Sequence, residues 1–391
     1  MPSVPSPGAL AVCASQTATN CQRAPSSEGT GAFDMSHGTC EGDGPGRLTA
    51  APMNPEDLAQ ILPMGMMTGG HVTPIDHQYY SPRVFNSAPD SYEVYAPFDG
   101  YIVSAGLESE KVTPPDKISL VFEHSCSFWV VYNLLTSLTP DLAREIPLVA
   151  DSGVSVRIPI RSGQLIGHIG GRTLDLDVVN ADITLGGFVN PDDYAAEPAK
   201  VHVVDPFDYF DEPLRSQLLA IDLRAAHPRG GKIDHDVDGR LIGNWFQEGT
   251  NGYMGFFPDR DPRPMYYSKT HLAIVPDGID PNTFTVSLGL LLPNEQSQFG
   301  VLGNGPDPAQ VTVATGLVKY ELVQIDYADA TGQRWSRMSY APEVHRHDSQ
   351  DVRGTVLIQM LADRRLKLEL FMGQRAAAVH GFTGAALLYG R

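Results

Sequence analysis

Short stretches in which apolar and polar side chains alternate, each ended by Gly, Pro, Asn or Asp, recur along most of this chain, and no long segment sustains a helical repeat. From Tyr92 onward, Tyr92–Ala96, Tyr101–Ala105, Ile118–Glu123 and Phe128–Leu134 follow a period of two, which sends successive side chains to opposite faces of a strand. A second series comprises Thr283–Leu292, Gln310–Ile325, Gly354–Leu361, Arg365–Phe371 and Ala386–Tyr389, separated by polar or Gly-containing turns. Sequential strands on tight turns pair with their neighbours, so an antiparallel barrel or sandwich is expected there. The 38 Gly and 31 Pro supply the turns and argue against a helical bundle.

A chain of 391 residues exceeds the usual single-domain size, and two packed units are expected. Residues 1–50 are rich in Ser, Pro, Gly, Ala and Thr and carry too little apolar bulk to offset the entropy of ordering, so they read as a flexible arm. Residues 65–210 form the first β-rich domain, the Pro/Asp-rich stretch at 190–213 the connection, and residues 231–391 the second domain. A short helix is expected over Asn54–Leu62, with Asn54 as N-cap, Pro55 at the first helical position, and Glu56 and Asp57 at the positive helix end. Another is expected over Glu212–Ala220.

The net charge of −18, with no dense Lys/Arg cluster, repels phosphate backbones and anionic headgroups and excludes nucleic acid as a partner. No run approaches the roughly 20 apolar residues of a membrane-spanning helix. The N-terminus has no charged region followed by an apolar one, so membrane insertion is not expected, and any export signal is absent from the chain as given. The four cysteines, Cys13, Cys21, Cys40 and Cys126, match no zinc ribbon. A disulfide, with Cys13–Cys21 as the candidate pair, would suit an exported protein.

Four segments in order carry a further signal: GGHVTPIDH (Gly69–His77), VYAPFDGYIVSAG (Val94–Gly106), SLVFEHSCSFWVVYNLL (Ser119–Leu135) and RSGQLIGHIGGRTLDLDVV (Arg161–Val179). Together they resemble the M23 zinc metallopeptidases. The first is similar to that family's His followed by Asp, both zinc ligands, and the second to its V-x-A-P-x-x-G-x-V strand–turn–strand. The third resembles the strand pair ending in Tyr-x-His-Leu, and in the fourth Gly163, Ile166, Gly167 and Gly170 fall into the family's glycine pattern before the last strand. Biotinyl and lipoyl domains share the second pattern, but no Lys stands at a hairpin tip between methionines here. The resemblance implies a mainly β fold: a barrel-sandwich hybrid, M23-like domain followed by the second antiparallel barrel or sandwich.

The departures from that pattern lie at the chemistry. Aligned on the last strand, the family's His-x-His becomes Thr173-Leu174-Asp175, and the histidine of Tyr-x-His-Leu falls on Leu134. The resemblance therefore implies His71, Asp76 and Asp175 as metal ligands; His77, next to Asp76, is a separate candidate for a catalytic base or fourth ligand, against strand alternation, which points it the other way. One imidazole and two carboxylates suit Zn²⁺ or another divalent cation such as Mn²⁺ or Fe²⁺. Loss of a general acid–base group costs about 10²- to 10⁴-fold in rate, so ordinary M23 catalysis is not expected. The bland alternatives are a polar loop for His71 and Asp76, and the solvent face of an amphipathic strand for Asp175 and Asp177.

In DHDVDG (Asp234–Gly239), carboxylates at alternate positions resemble the start of a calcium loop. Trp245 stands where an EF-hand needs a bidentate Glu, so calcium at Asp234, Asp236 and Asp238 is set against a solvated Asp-Gly hairpin turn. His345–Asp348 reads as an exposed polar turn, and GNWF at Gly243–Phe246 loosely resembles the Gly-x-Trp of lipocalin-like barrels. Two functions follow. One is an extracytoplasmic or secreted metal-dependent hydrolase of a polymeric or peptide-like substrate. The other is a catalytically inactive M23-like protein that binds a polymer or a partner protein.

Overall fold

A computed structural model of the chain describes residues 40–108, 117–150, 152–257, 267–291, 297–336 and 344–391. The expected arm, with Cys13 and Cys21, lies outside them apart from its last residues. The chain is mainly β and divides into two compact units. The first comprises Asn86–Thr184 and Pro198–Leu214 with the described residues up to Pro55, and the second comprises Glu56–Phe85, Leu185–Glu197 and Arg215–Arg391.

Two strands open the second unit, β1 (Leu58–Leu62) and β2 (Gln78–Pro82), paired antiparallel with Leu62 opposite Tyr79. The helix expected over Asn54–Leu62 is thus only a single 3-10 turn, Pro55–Asp57, followed by a strand. Local capping signals were present, but Leu58, Ile61 and Leu62 are buried, and pairing with a distant segment overrides weak helix propensity.

The first unit holds β3 (Tyr92–Tyr95), β4 (Gly100–Glu108), β5 (Lys117–Ser125), β6 (Phe128–Leu135), β7 (Ser137–Leu138), β8 (Ser152–Ile160), β9 (Leu165–Ile169) and β10 (Leu174–Asn180). Strands run in the order β10-β6-β5-β4-β8, and a smaller sheet has the order β3-β9-β7. Ile102, Leu120, Phe122, Val130, Tyr132, Leu174, Leu176 and Val178 are fully buried, the apolar half of the alternation. Two glycines of the M23-like pattern have a steric reason. A Cβ on Gly167 would stand 2.2 Å from the Ser137 carbonyl oxygen, and one on Gly170 would stand 1.9 Å from that of Ala88. Cys40 is bridged to Cys126, closing the start of the described chain onto the β5–β6 hairpin.

The second unit is dominated by a closed antiparallel barrel: β11 (Gly243–Gln247), β12 (His271–Pro276), β13 (Phe284–Leu288), β14 (Gln298–Val301), β15 (Leu317–Ala328), β16 (His345–Leu361), β17 (Arg365–Met372) and β18 (Leu387–Gly390). Pairing of Phe246 with Gly390 and Gln247 with Tyr389 joins the last strand to the first and removes the free edge. Trp245, Val286, Tyr320, Leu322, Val356, Ile358, Leu366 and Tyr389 fill the interior.

One polar expectation is overturned here. His345–Asp348 is not a turn but the start of β16, and the Arg346 side chain is only 1% exposed. Its guanidinium donates to Asp277 (3.2 Å), to Thr285 (2.9 Å) and twice to Asp348 (2.7 and 2.9 Å), the pairing a buried charge requires.

Candidate metal centre

His71, Asp76 and His77 lie on the segment between β1 and β2, in the second unit. Gly65 N–H donates to the Ile75 carbonyl (2.8 Å) and Ile75 N–H to that of Met66 (3.0 Å), closing the neck of a loop. At its tip the His71 N–H donates to the Thr68 carbonyl (3.1 Å), with Gly69 at φ +59 in the left-handed region that glycine tolerates. Val72 and Ile75 are buried, and the apolar residues therefore anchor the loop while His71, Asp76 and His77 stay partly accessible.

The three polar side chains are brought together. Asp76 Oδ1 lies 3.1 Å from His77 Nδ1, and the His71 and His77 rings meet edge to face at 5.8 Å. Tyr79 packs edge-on against the other flank of His77 at 4.8 Å. With the carboxylate accepting from Nδ1–H, the neutral imidazole carries its lone pair on Nε2, the tautomer that ligates a cation.

Asp175 and Asp177 lie on β10 in the first unit, opposite Asn133 and Val131 of β6. Separated by two positions, they share one face of the strand, while Leu174, Leu176 and Val178 take the other. The face is not solvated: Asp175 is 7% and Asp177 9% exposed. Thr173 donates its hydroxyl to Asp175 Oδ1 (3.1 Å). A buried carboxylate costs free energy unless donors or a cation face it, which separates these residues from an ordinary amphipathic strand. Period two places Asp177 beside Asp175, the residue that the resemblance singled out.

The Asp234–Gly239 segment takes a structural role. Asp234 Oδ2 accepts from the Gly187 N–H (2.8 Å), and its other oxygen is paired with Lys232. Asp236 accepts from Asn244 N–H (2.8 Å) and Val189 N–H (3.1 Å) and lies 3.5 Å from Arg391. Both are buried, contrary to the solvated turn expected; only Asp238 and Gly239 form that turn, with Asp238 paired to Arg364 (2.9 Å). With these oxygens committed to protein donors, the segment ties loops to the barrel.

Sequence reasoning gave no role to Asp193, on the 3-10 turn Pro191–Tyr194. Burial pushes its carboxyl up to about 6, against a lowering hydrogen bond from Asn190 and with help from the charges of Asp236 and Asp192. In the first unit, an open concavity of about 500 Å³ is lined by Leu142, Ile158, Pro159 and Leu165 with the carboxylates of Asp141 and Glu145. Asp175 and Asp177 are not among its walls.

No family model matches the chain, and no curated protein matches it. Among solved structures it is similar to Csd3 from Helicobacter pylori, at 14% identity and a TM-score of 0.25, over 42% of this chain and 35% of that one. The chain thus spans about a third of the length of that relative. It is similar to the SpoIIQ–SpoIIIAH pore-forming complex at 14% identity and a TM-score of 0.27, over 44% of this chain and 95% of the other. Similarity to lysostaphin, solved in solution by NMR, stands at 12% identity and a TM-score of 0.26, over 88% and 92% of the two chains. Among the described residues no helix is long and apolar enough to cross a membrane.

Proposed function

We propose that the chain is an extracytoplasmic metal-dependent hydrolase of a peptide-like or polymeric substrate, built on an M23-like architecture with a non-standard His/Asp/Asp ligand set. The observation that carries this reading is the pairing of Asp76 with His77 on one loop, 3.1 Å apart; with Asp175, which the resemblance implies as a ligand, they would supply one imidazole and two carboxylates. That set fits Zn²⁺, Mn²⁺ or Fe²⁺, and its two negative charges favour a dication. His71 lies beside His77, with the two rings 5.8 Å apart.

When bound, such a cation supplies a water of lowered pKa as nucleophile and polarises a substrate carbonyl. The protein's part is to orient it. Asp76 fixes the tautomer and ring plane of His77, Tyr79 braces the ring from the side, and Thr173 holds Asp175 through its hydroxyl. His71 is the nearby imidazole that would carry a proton between water and leaving group. The Cys40–Cys126 bridge suits an oxidising, extracytoplasmic compartment.

The test is turnover of a peptide library by the purified protein with and without a chelator. Cleavage abolished by the chelator and restored by Zn²⁺ or Mn²⁺ supports the reading; cleavage indifferent to chelation overturns it.

A second reading is a protein that binds a polymer or partner without cleaving it. Thr173 favours it, because its hydroxyl is spent on Asp175 where the family keeps a proton-handling histidine. Binding of a peptide-like polymer with metal present and no turnover would select this alternative.

A further inference from the structure

The loop carrying His71 is tied at its tip and at its base to residues of the barrel, all within the second unit. Gln298, the first residue of β14, donates from Nε2 to the His71 carbonyl (3.1 Å) and, at 3.5 Å, to that of Gly69. Ser268, buried on the 3-10 turn Tyr267–Thr270, donates its hydroxyl to the Gly70 carbonyl (2.8 Å). Three successive carbonyls of the tip are thereby held by side chains some two hundred positions further along the chain, with 227 separating His71 from Gln298.

The base of the loop is seated independently. Met66 and Ile75 pack into an apolar cluster with Leu62, Tyr79, Ile279 and Val344. Gly278, on the β12–β13 connection, comes so near that a Cβ there would stand 2.7 Å from the Met66 nitrogen. Arg224 in turn donates to the Gly278 carbonyl (2.7 Å) and holds that connection in place.

We infer that Gln298 and Ser268 are positioning residues of the metal centre, and that the barrel serves as the platform that sets the geometry of the loop bearing His71, Asp76 and His77. Outer partners that orient ligands typically carry about 10- to 100-fold of metal affinity. A glycine-containing loop left to itself would sample many conformers, and its ligands would lose that preorganisation on each approach of the cation. Bonds to its carbonyls remove those conformers without touching the metal. This inference rests on the metal-centre reading above, but the tether itself can be measured with no metal present.

The experiment uses the full chain with Gln298→Met, which keeps the length and shape of the side chain and deletes its donors, and separately Ser268→Ala. Amide hydrogen exchange over residues 66–75 reads the tether in metal-free protein. Titration with Co²⁺ alone, followed through its visible absorption bands, reads the site. Faster exchange in the loop, a Co²⁺ dissociation constant raised at least about tenfold, altered band positions and an unchanged thermal melt are expected for both variants. Unchanged loop exchange, or a loosened loop with wild-type Co²⁺ affinity and spectrum, overturns the inference. Wild-type protein that takes up no Co²⁺ while its loop is protected would instead overturn the metal-centre reading.

Discussion

Asp76 Oδ1 lies 3.1 Å from Nδ1 of His77, so the loop supplies an imidazole already oriented by its own neighbour in sequence. Asp76→Asn keeps the shape and removes the charge. It is expected to weaken divalent-cation binding by at least about 10-fold, because it removes a ligand's charge as well as the partner that orients His77. Isothermal titration with Zn²⁺ checks this; equal affinity in the variant would remove Asp76 from the centre.

Asp193 predicts a pH effect on the second unit. Its carboxyl titrates near 6 in the folded chain, raised chiefly by burial, against the ordinary value of 3.8. The folded state therefore binds the proton more tightly than the unfolded one, and stability falls as pH rises through the window from about 4 to about 6. Asp193→Asn should flatten that slope and raise the melting temperature at pH 7. Melts of wild type and variant between pH 4 and 7 supply the comparison, and parallel curves would contradict it.

The Arg391 guanidinium lies 4.0 Å over the Trp245 ring and donates to the Ile242 (2.7 Å) and Val237 (2.8 Å) carbonyls. Trp245 is fully buried, so Trp245→Ala is expected to cost about 3–5 kcal/mol by cavity formation. Arg391→Ala leaves Asp236 buried without its cation and is expected to cost a similar amount, about 3–5 kcal/mol. Urea denaturation followed by tryptophan fluorescence or circular dichroism measures both.

The Cys40–Cys126 bridge spans 86 positions. Reduction, or Cys126→Ser, is expected to destabilise the first unit by about 2–4 kcal/mol, mainly by freeing the unfolded chain. A melt with and without reductant reads the loss.

Much of the β architecture was legible because half-buried strands alternate. Tyr92–Tyr95, Gly100–Glu108, Lys117–Ser125 and Phe128–Leu135 all fall on the expected runs, as do Arg365–Met372 and the end of β16. Strands without alternation escaped: His271–Val275 is buried throughout and reads as a plain apolar run. Where the deciding partner is remote, local signals misled. Leu58–Leu62 became a strand through Gln78–Pro82, and Arg346 was drawn inside by Asp277, 69 positions away. The same limit applies at the candidate metal centre. His71, Asp76 and His77 were visible as a motif, whereas Gln298 and Ser268 carry no local mark of the carbonyls they hold.

The central claim is that Asp76 and His77, on one loop, help to hold a divalent cation. Elemental analysis of freshly purified protein and of His77→Ala tests it most directly. About one equivalent of Zn, Mn or Fe in the wild type, lost in a variant that still melts cooperatively, is the predicted result. A metal-free wild type after incubation with each cation, or full occupancy in His77→Ala, would contradict it.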